Sequence, residues 1–191
     1  FYRTHGHRLA WSDTSGKILP RARILLDTLR RADVHGLVPV DYALDQLEPL
    51  GARIDEGSVD ESQLADFDVL MTASFFRYAS DVSSGRVHPE EVRDEWHANA
   101  PALDLVDSLD RVLEGEDLAA VLESLPPPHA GYARLLEALK TLRDIETQGG
   151  WPAVSNGPKL EPGVSGPRVV ALRRRLAESG APETTAGMPD R

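Results

Sequence analysis

Cysteine is absent from this 191-residue sequence. That excludes disulfides, cysteine-ligated zinc, iron–sulfur clusters and a cysteine nucleophile on the chain itself. Positive charge is scarce: 21 Lys and Arg against 31 Asp and Glu leave a formal net charge of −10. Phosphate backbones are therefore repelled, and no nucleic-acid partner is expected. No apolar run approaches the roughly 20 residues that cross a bilayer, so no membrane span is expected. Neither a Gly-x-x-x-x-Gly-Lys-Ser/Thr phosphate loop nor a Gly-x-Gly-x-x-Gly fingerprint occurs, and no cofactor is expected. Convincing strand alternation is missing too. The sequence opens on Phe1 without a signal-peptide pattern, which points to a segment of a longer product.

What is present suits a soluble helical protein. Hydrophobic residues make up 41% of the chain and charged residues 27%, enough to bury a core without staples. From Pro20 to His35, Ala22, Leu25, Leu26, Leu29 and Ala32 share one helical face, with Gly36 at the C-terminal cap. Pro39 to about Glu48 reads as a short helix ending near Pro49. Ser58 and Glu61 have capping-box spacing ahead of a long helix. Its apolar face runs Leu64, Phe67, Met71, Phe75, Tyr78 and Val82, and Gly85 stops it.

Pro89 to Trp96 predicts one or two short turns. Leu105 to Leu113 predicts an amphipathic helix ending at Gly115, and Leu118 to Leu125 another that Pro126, Pro127 and Pro128 cut off. Tyr132, Leu135, Leu136, Leu139, Leu142 and Ile145 line a further long helix. After Trp151 the chain turns rich in Pro, Gly, Ser and Asn, then forms one last helix over Pro167–Glu178. The fold class expected is all-α: an irregular multi-helix domain over residues 1–153, then a linker and an incomplete helical segment over 154–191.

Candidate chemistry is thin. Gly163-Val164-Ser165-Gly166 resembles part of a nucleophile elbow, but Pro167 takes the second glycine's place, and Ser165 is expected to cap the next helix. His5 and His7 lack further ligands at metal-site spacing, so no metal is expected. Arg173-Arg174-Arg175 forms a basic run, read either as a solvated face or as a contact with anionic glycan or a neighbouring domain. The most distinctive stretch is Phe75-Phe76-Arg77-Tyr78-Ala79-Ser80-Asp81 followed by Gly85-Arg86-Val87-His88-Pro89. Phe75 and Tyr78 lie on the apolar face, Arg77 and Asp81 have ion-pair spacing, and Gly85 and Pro89 mark a corner between helices.

The run from Phe75 to Pro89 resembles the scaffold domain of bacterial murein L,D-transpeptidases. Other stretches are similar to that domain in the same order: Phe1-Tyr2 with Leu9-Ala10-Trp11; Asp33 to Tyr42; Leu125-Pro126-Pro127-Pro128-His129 with Tyr132; and Gly149-Gly150-Trp151-Pro152. Leu160 to Gly180 resembles the opening turn and first helix of a peptidoglycan-binding repeat.

The resemblance implies a parent enzyme, a transferase, that forms 3–3 peptidoglycan cross-links through a cysteine in a separate β-rich catalytic domain. This chain lacks that cysteine and is expected to be inactive alone, with no catalytic residue of its own. The implied role is a non-catalytic scaffold in cell-wall biogenesis. Its implied partners are the catalytic domain and peptidoglycan, and its implied location is the periplasm. The alternative is a free-standing helical module for protein interactions in the envelope. The resemblance marks Phe75, Arg77, Tyr78, Asp81, Gly85, Arg86 and Pro89 as scaffold-motif residues, while the charge run by itself makes Arg173, Arg174 and Arg175 the candidate glycan-binding residues.

Overall fold

The computed structural model describes residues 1–87 and 104–178. The regular elements among the described residues are all helices, with no strand; a single antiparallel bridge joins Ser12 and Ile18. The turn expected over Pro89–Trp96 lies outside them. The chain forms two compact units, Phe1–Leu136 and Glu137–Arg191. The boundary expected at 153/154 falls within the second.

Helix α1 (Pro20–Arg30) starts with proline at its first position and buries Ala22, Leu25, Leu26 and Leu29. It does not continue to His35. Arg31 leaves helical geometry, and a separate 3-10 turn over Ala32–His35 closes at Gly36, in the left-handed conformation with φ 75°. The tightened turn buries Leu37 and leaves Val34 outside.

The short helix expected from Pro39 is also two pieces. Pro39–Tyr42 forms a 3-10 turn, Ala43 takes a left-handed φ of 54°, and α2 (Leu44–Asp55) begins afresh with Pro49 inside it. The Ala43 carbonyl accepts from the Gln46 and Leu47 amides. The kink turns Tyr42 into the core. Burial of Leu47, Gly51 and Ile54 carries α2 past the hydrogen bond that Pro49 removes.

Helix α3 (Glu61–Ser84) is capped by Asp60 and Gln63, not by Ser58 and Glu61. The Gln63 amide donates to Asp60 Oδ1 at 2.9 Å, and the Asp60 amide donates to Gln63 Oε1 at 3.1 Å. The Ser58 hydroxyl is already committed to the Arg53 carbonyl at the end of α2. Phe67, Met71, Phe75, Tyr78 and Val82 form the buried stripe of α3, around which the core of the first unit is built. Helices α4 (Leu105–Glu114) and α5 (Leu118–Ser124) start on the side-chain caps Asp104 and Asp117 and bury Leu109, Val112, Leu118, Val121 and Leu122.

Helix α6 (Ala130–Thr147) starts in the first unit and ends in the second. None of the apolar residues that line it is buried: Leu135 is 68% exposed and Leu142 47%. Its Ala, Leu, Glu and Lys content supports the helix by intrinsic propensity rather than by packing. In the second unit, α7 (Pro167–Glu178) also has no buried residue. The Gly166 carbonyl accepts from the Val169 and Val170 amides, so Gly166 and not Ser165 occupies the cap position.

Candidate functional site

The α3 corner places the motif residues in two different settings. Phe75 is fully buried, its ring centroid 6.2 Å from that of Trp11, and belongs to the core. One turn later, Tyr78 meets the Tyr42 ring edge-on at 5.6 Å and the His35 ring at 6.4 Å. Asp81 does not pair with Arg77; it accepts the Tyr42 hydroxyl at 2.9 Å. Burial and this carboxylate both push the Tyr42 phenol well above its ordinary pKa. Arg77 lies exposed one turn before Asp81, and its charge acts on the Tyr42 phenol from there.

Beyond the helix end, Gly85 reverses the backbone at φ 84°, and Arg86 Nη1 reaches back to Asp41 Oδ2 at 2.9 Å. Tyr78, Asp81 and Arg86 are thus brought together around the Pro39–Tyr42 turn. Pro89 lies outside the described residues.

Tyr78 and His35 also line a groove of about 470 Å³ with Ile24, Thr28, Arg31 and Leu122. The Tyr132 hydroxyl, from the first turn of α6, lies 2.8 Å from His35 Nδ1, with the two rings stacked 6.1 Å apart. Burial lowers the His35 pKa and so favours the neutral ring, whose Nδ1 accepts from or donates to the Tyr132 hydroxyl according to its tautomer. Burial raises the Tyr78 phenol to about 12. The groove offers hydroxyl, imidazole and guanidinium groups on an apolar floor, a combination suited to binding.

His5, considered with His7 for a metal, has other contacts. Its ring stacks on Phe1 at 4.5 Å, Nδ1 lies 2.9 Å from the Phe1 carbonyl oxygen, and Nε2 lies 3.0 Å from Asp110 Oδ1. The Asp110 contact has ion-pair distance without hydrogen-bond alignment, because that oxygen has no hydrogen-bond partner. Among the described residues, no group of three or more His, Asp or Glu could hold a metal ion.

Sequence reasoning passed over a polar knot on the buried face of α3. Asp68, 1% exposed, accepts the Ala10 amide at 2.9 and 3.0 Å, the Trp11 amide at 2.7 Å and the Tyr2 hydroxyl at 2.6 Å. Trp11 Nε1 donates to Thr72 Oγ1 at 2.8 Å. A carboxylate between Phe67 and Met71 on an apolar stripe was the available signal, since such a group needs several donors to be buried. The knot positions the N-terminal segment on α3.

In the second unit the basic run is divided. Arg173 is exposed, Arg174 Nε pairs with Glu178 Oε1 at 3.1 Å, and the Arg175 guanidinium sits 5.3 Å from the centre of the Trp151 ring. Arg175 also donates to the Pro152 carbonyl at 3.4 Å. Trp151 and Arg174 line a cleft of about 680 Å³ with Ile145, Gln148, Gly150 and Glu178. Trp151, Gln148 and Glu178 had not been marked as site residues.

A family model described as Scaffold domain matches residues 1–139. No curated protein and no solved structure matches the chain.

Proposed function

Since this chain belongs to the Scaffold domain family, we propose that it is the non-catalytic part of a murein L,D-transpeptidase, working in the periplasm beside a cysteine-bearing catalytic domain. The family match over residues 1–139 carries this reading, in agreement with the ordered motifs from Phe1-Tyr2 to Tyr132. The chain supplies no cysteine, so the acyl-transfer step belongs to another domain. The role of the helical unit is to hold that domain at a set distance from its glycan substrate. Its rigidity comes from the α3 core and the Asp68 knot. The segment from Leu160 acts as the start of a peptidoglycan-binding repeat, with the Arg173–Arg175 run on its helix.

The reading frame beyond Arg191 is the direct test. An in-frame domain with a Ser-His-Gly-x-Cys motif supports the proposal, and transpeptidation by the whole protein should then fall when residues 1–153 are deleted. A stop codon, or a domain of unrelated chemistry, overturns it.

A second reading, a free-standing interaction module of the envelope, is favoured by one observation. In the first unit, helix α6 presents Leu135 to solvent at 68% exposure, and an exposed leucine on a helix is a common protein-docking feature. A stop codon after Arg191 would select this reading.

A further inference from the structure

The cleft of the second unit has the chemistry of a sugar site, and we propose that it is a saccharide subsite. A pyranose ring would lie against the indole of Trp151, with its hydroxyls bonded to Gln148, Arg174 and Glu178. This deepens the cell-wall reading and rests on it only for the natural ligand, a glycan strand.

Trp151 keeps 40% of its surface exposed, which leaves part of a large apolar side chain open to a ligand. Its ring is nonetheless held in place. The Arg175 guanidinium stacks on it at 5.3 Å and is tied to the Pro152 carbonyl. A ring fixed in this way is a preorganised platform for the C–H face of a sugar, so little ordering entropy remains to be lost on binding. Gly149 and Gly150 place no side chain beside it, and a Cβ at either would meet open space.

The polar lining favours a sugar over a strongly anionic or a purely apolar ligand. Sugar hydroxyls donate and accept at once, so they need both kinds of partner. Gln148 supplies an amide with both functions. Arg174 and Glu178, 3.1 Å apart, supply donors and an acceptor in one fixed pair. The charges of that pair cancel, which removes the attraction a strongly anionic ligand would need. A purely apolar ligand would leave the pair and the amide unsatisfied. The cleft volume of about 680 Å³ suits a small ligand or one or two rings of a longer chain.

The test is a titration of the full chain with chitotetraose, a soluble neutral oligosaccharide, followed by backbone amide shifts. The expected result is saturable binding, with shifts concentrated at residues 148–153 and around Arg174 and Glu178. Trp151→Ala should weaken binding about tenfold or more by removing the stacking platform. Trp151→Phe, which keeps an aromatic face, should retain most of it, and Lys140→Ala, at an exposed position outside the cleft, should leave it unchanged. Circular dichroism checks that each variant keeps its helices. Absence of saturable binding, or binding indifferent to Trp151→Ala, overturns the proposal. The titration does not depend on the coding sequence beyond Arg191. Binding with no transpeptidase domain downstream would keep the sugar site and discard the enzyme reading, and the opposite pair of results would do the reverse.

Discussion

Asp68 Oδ1 lies 2.7 Å from the backbone nitrogen of Trp11, so a carboxylate in the middle of the longest helix fixes a segment 57 residues earlier in the chain. Both residues are buried, and the same carboxylate also accepts from Ala10 and Tyr2. Asp68→Ala should leave these donors buried without a partner and cost about 3–5 kcal/mol, the range for breaking a buried charged network. Asp68→Asn keeps one acceptor oxygen and should cost less. Urea unfolding of the two variants measures the difference; equal, small losses would show that the knot contributes little to stability.

Two glycines should respond to alanine in opposite directions. Gly51 is helical within α2, and a Cβ there would meet Ile18 and Phe67 at 3.6 Å, ordinary contact distance. Gly51→Ala should therefore stabilise by about 0.5–1 kcal/mol through helix propensity. Gly85 has open space around it but a φ of 84° and ψ of 161°, a region essentially reserved for glycine. Gly85→Ala should destabilise by about 1–3 kcal/mol. Thermal unfolding of both variants checks the pair.

Acid should loosen the contact between His35 and Tyr132. Burial holds the His35 pKa below its unfolded value of about 6.5, so the unfolded chain binds the proton first. Stability contributed by the neutral ring is complete above about pH 6.5 and is lost as the pH falls through the lowered folded value. Wild type should lose more stability than His35→Gln between neutral and mildly acidic pH. Hydrogen exchange in the first turn of α6 should rise over the same interval. Parallel pH profiles for the two proteins would show that His35 does not carry the effect.

Co-sedimentation with purified sacculi should separate the three arginines. Arg173 is exposed, whereas Arg174 and Arg175 are engaged with Glu178 and Trp151. If the run binds glycan as one basic patch, replacing each arginine by alanine should reduce pelleting equally and added salt should abolish it. If the cleft binds, Arg175→Ala, which frees the Trp151 ring, should weaken pelleting more than Arg173→Ala, with modest salt dependence.

The helices of the first unit were legible because their apolar residues recur at three and four and their ends carry strong signals: Pro20, Gly85, Gly115 and the Pro126–Pro128 run. The ends were read less well where two signals competed. Ser58/Glu61 and Asp60/Gln63 have identical spacing, and the choice depended on the Ser58 hydroxyl being taken by Arg53. Periodicity likewise ran α1 and its 3-10 turn together, because both keep apolar residues on one side.

By itself the sequence determined the helical class, the absence of cysteine chemistry and the motif order that marks the family, since all three depend on residue type and local spacing. Tertiary structure alone decided which polar groups meet. His35 and Tyr132 are 97 residues apart and Asp68 and Tyr2 are 66 apart, and no local rule relates them. It also split the arginine run, pairing Arg174 with Glu178 and setting Arg175 on Trp151. Residues adjacent in a helix point in different directions, about 100° apart, and each takes whatever partner the fold brings to that side.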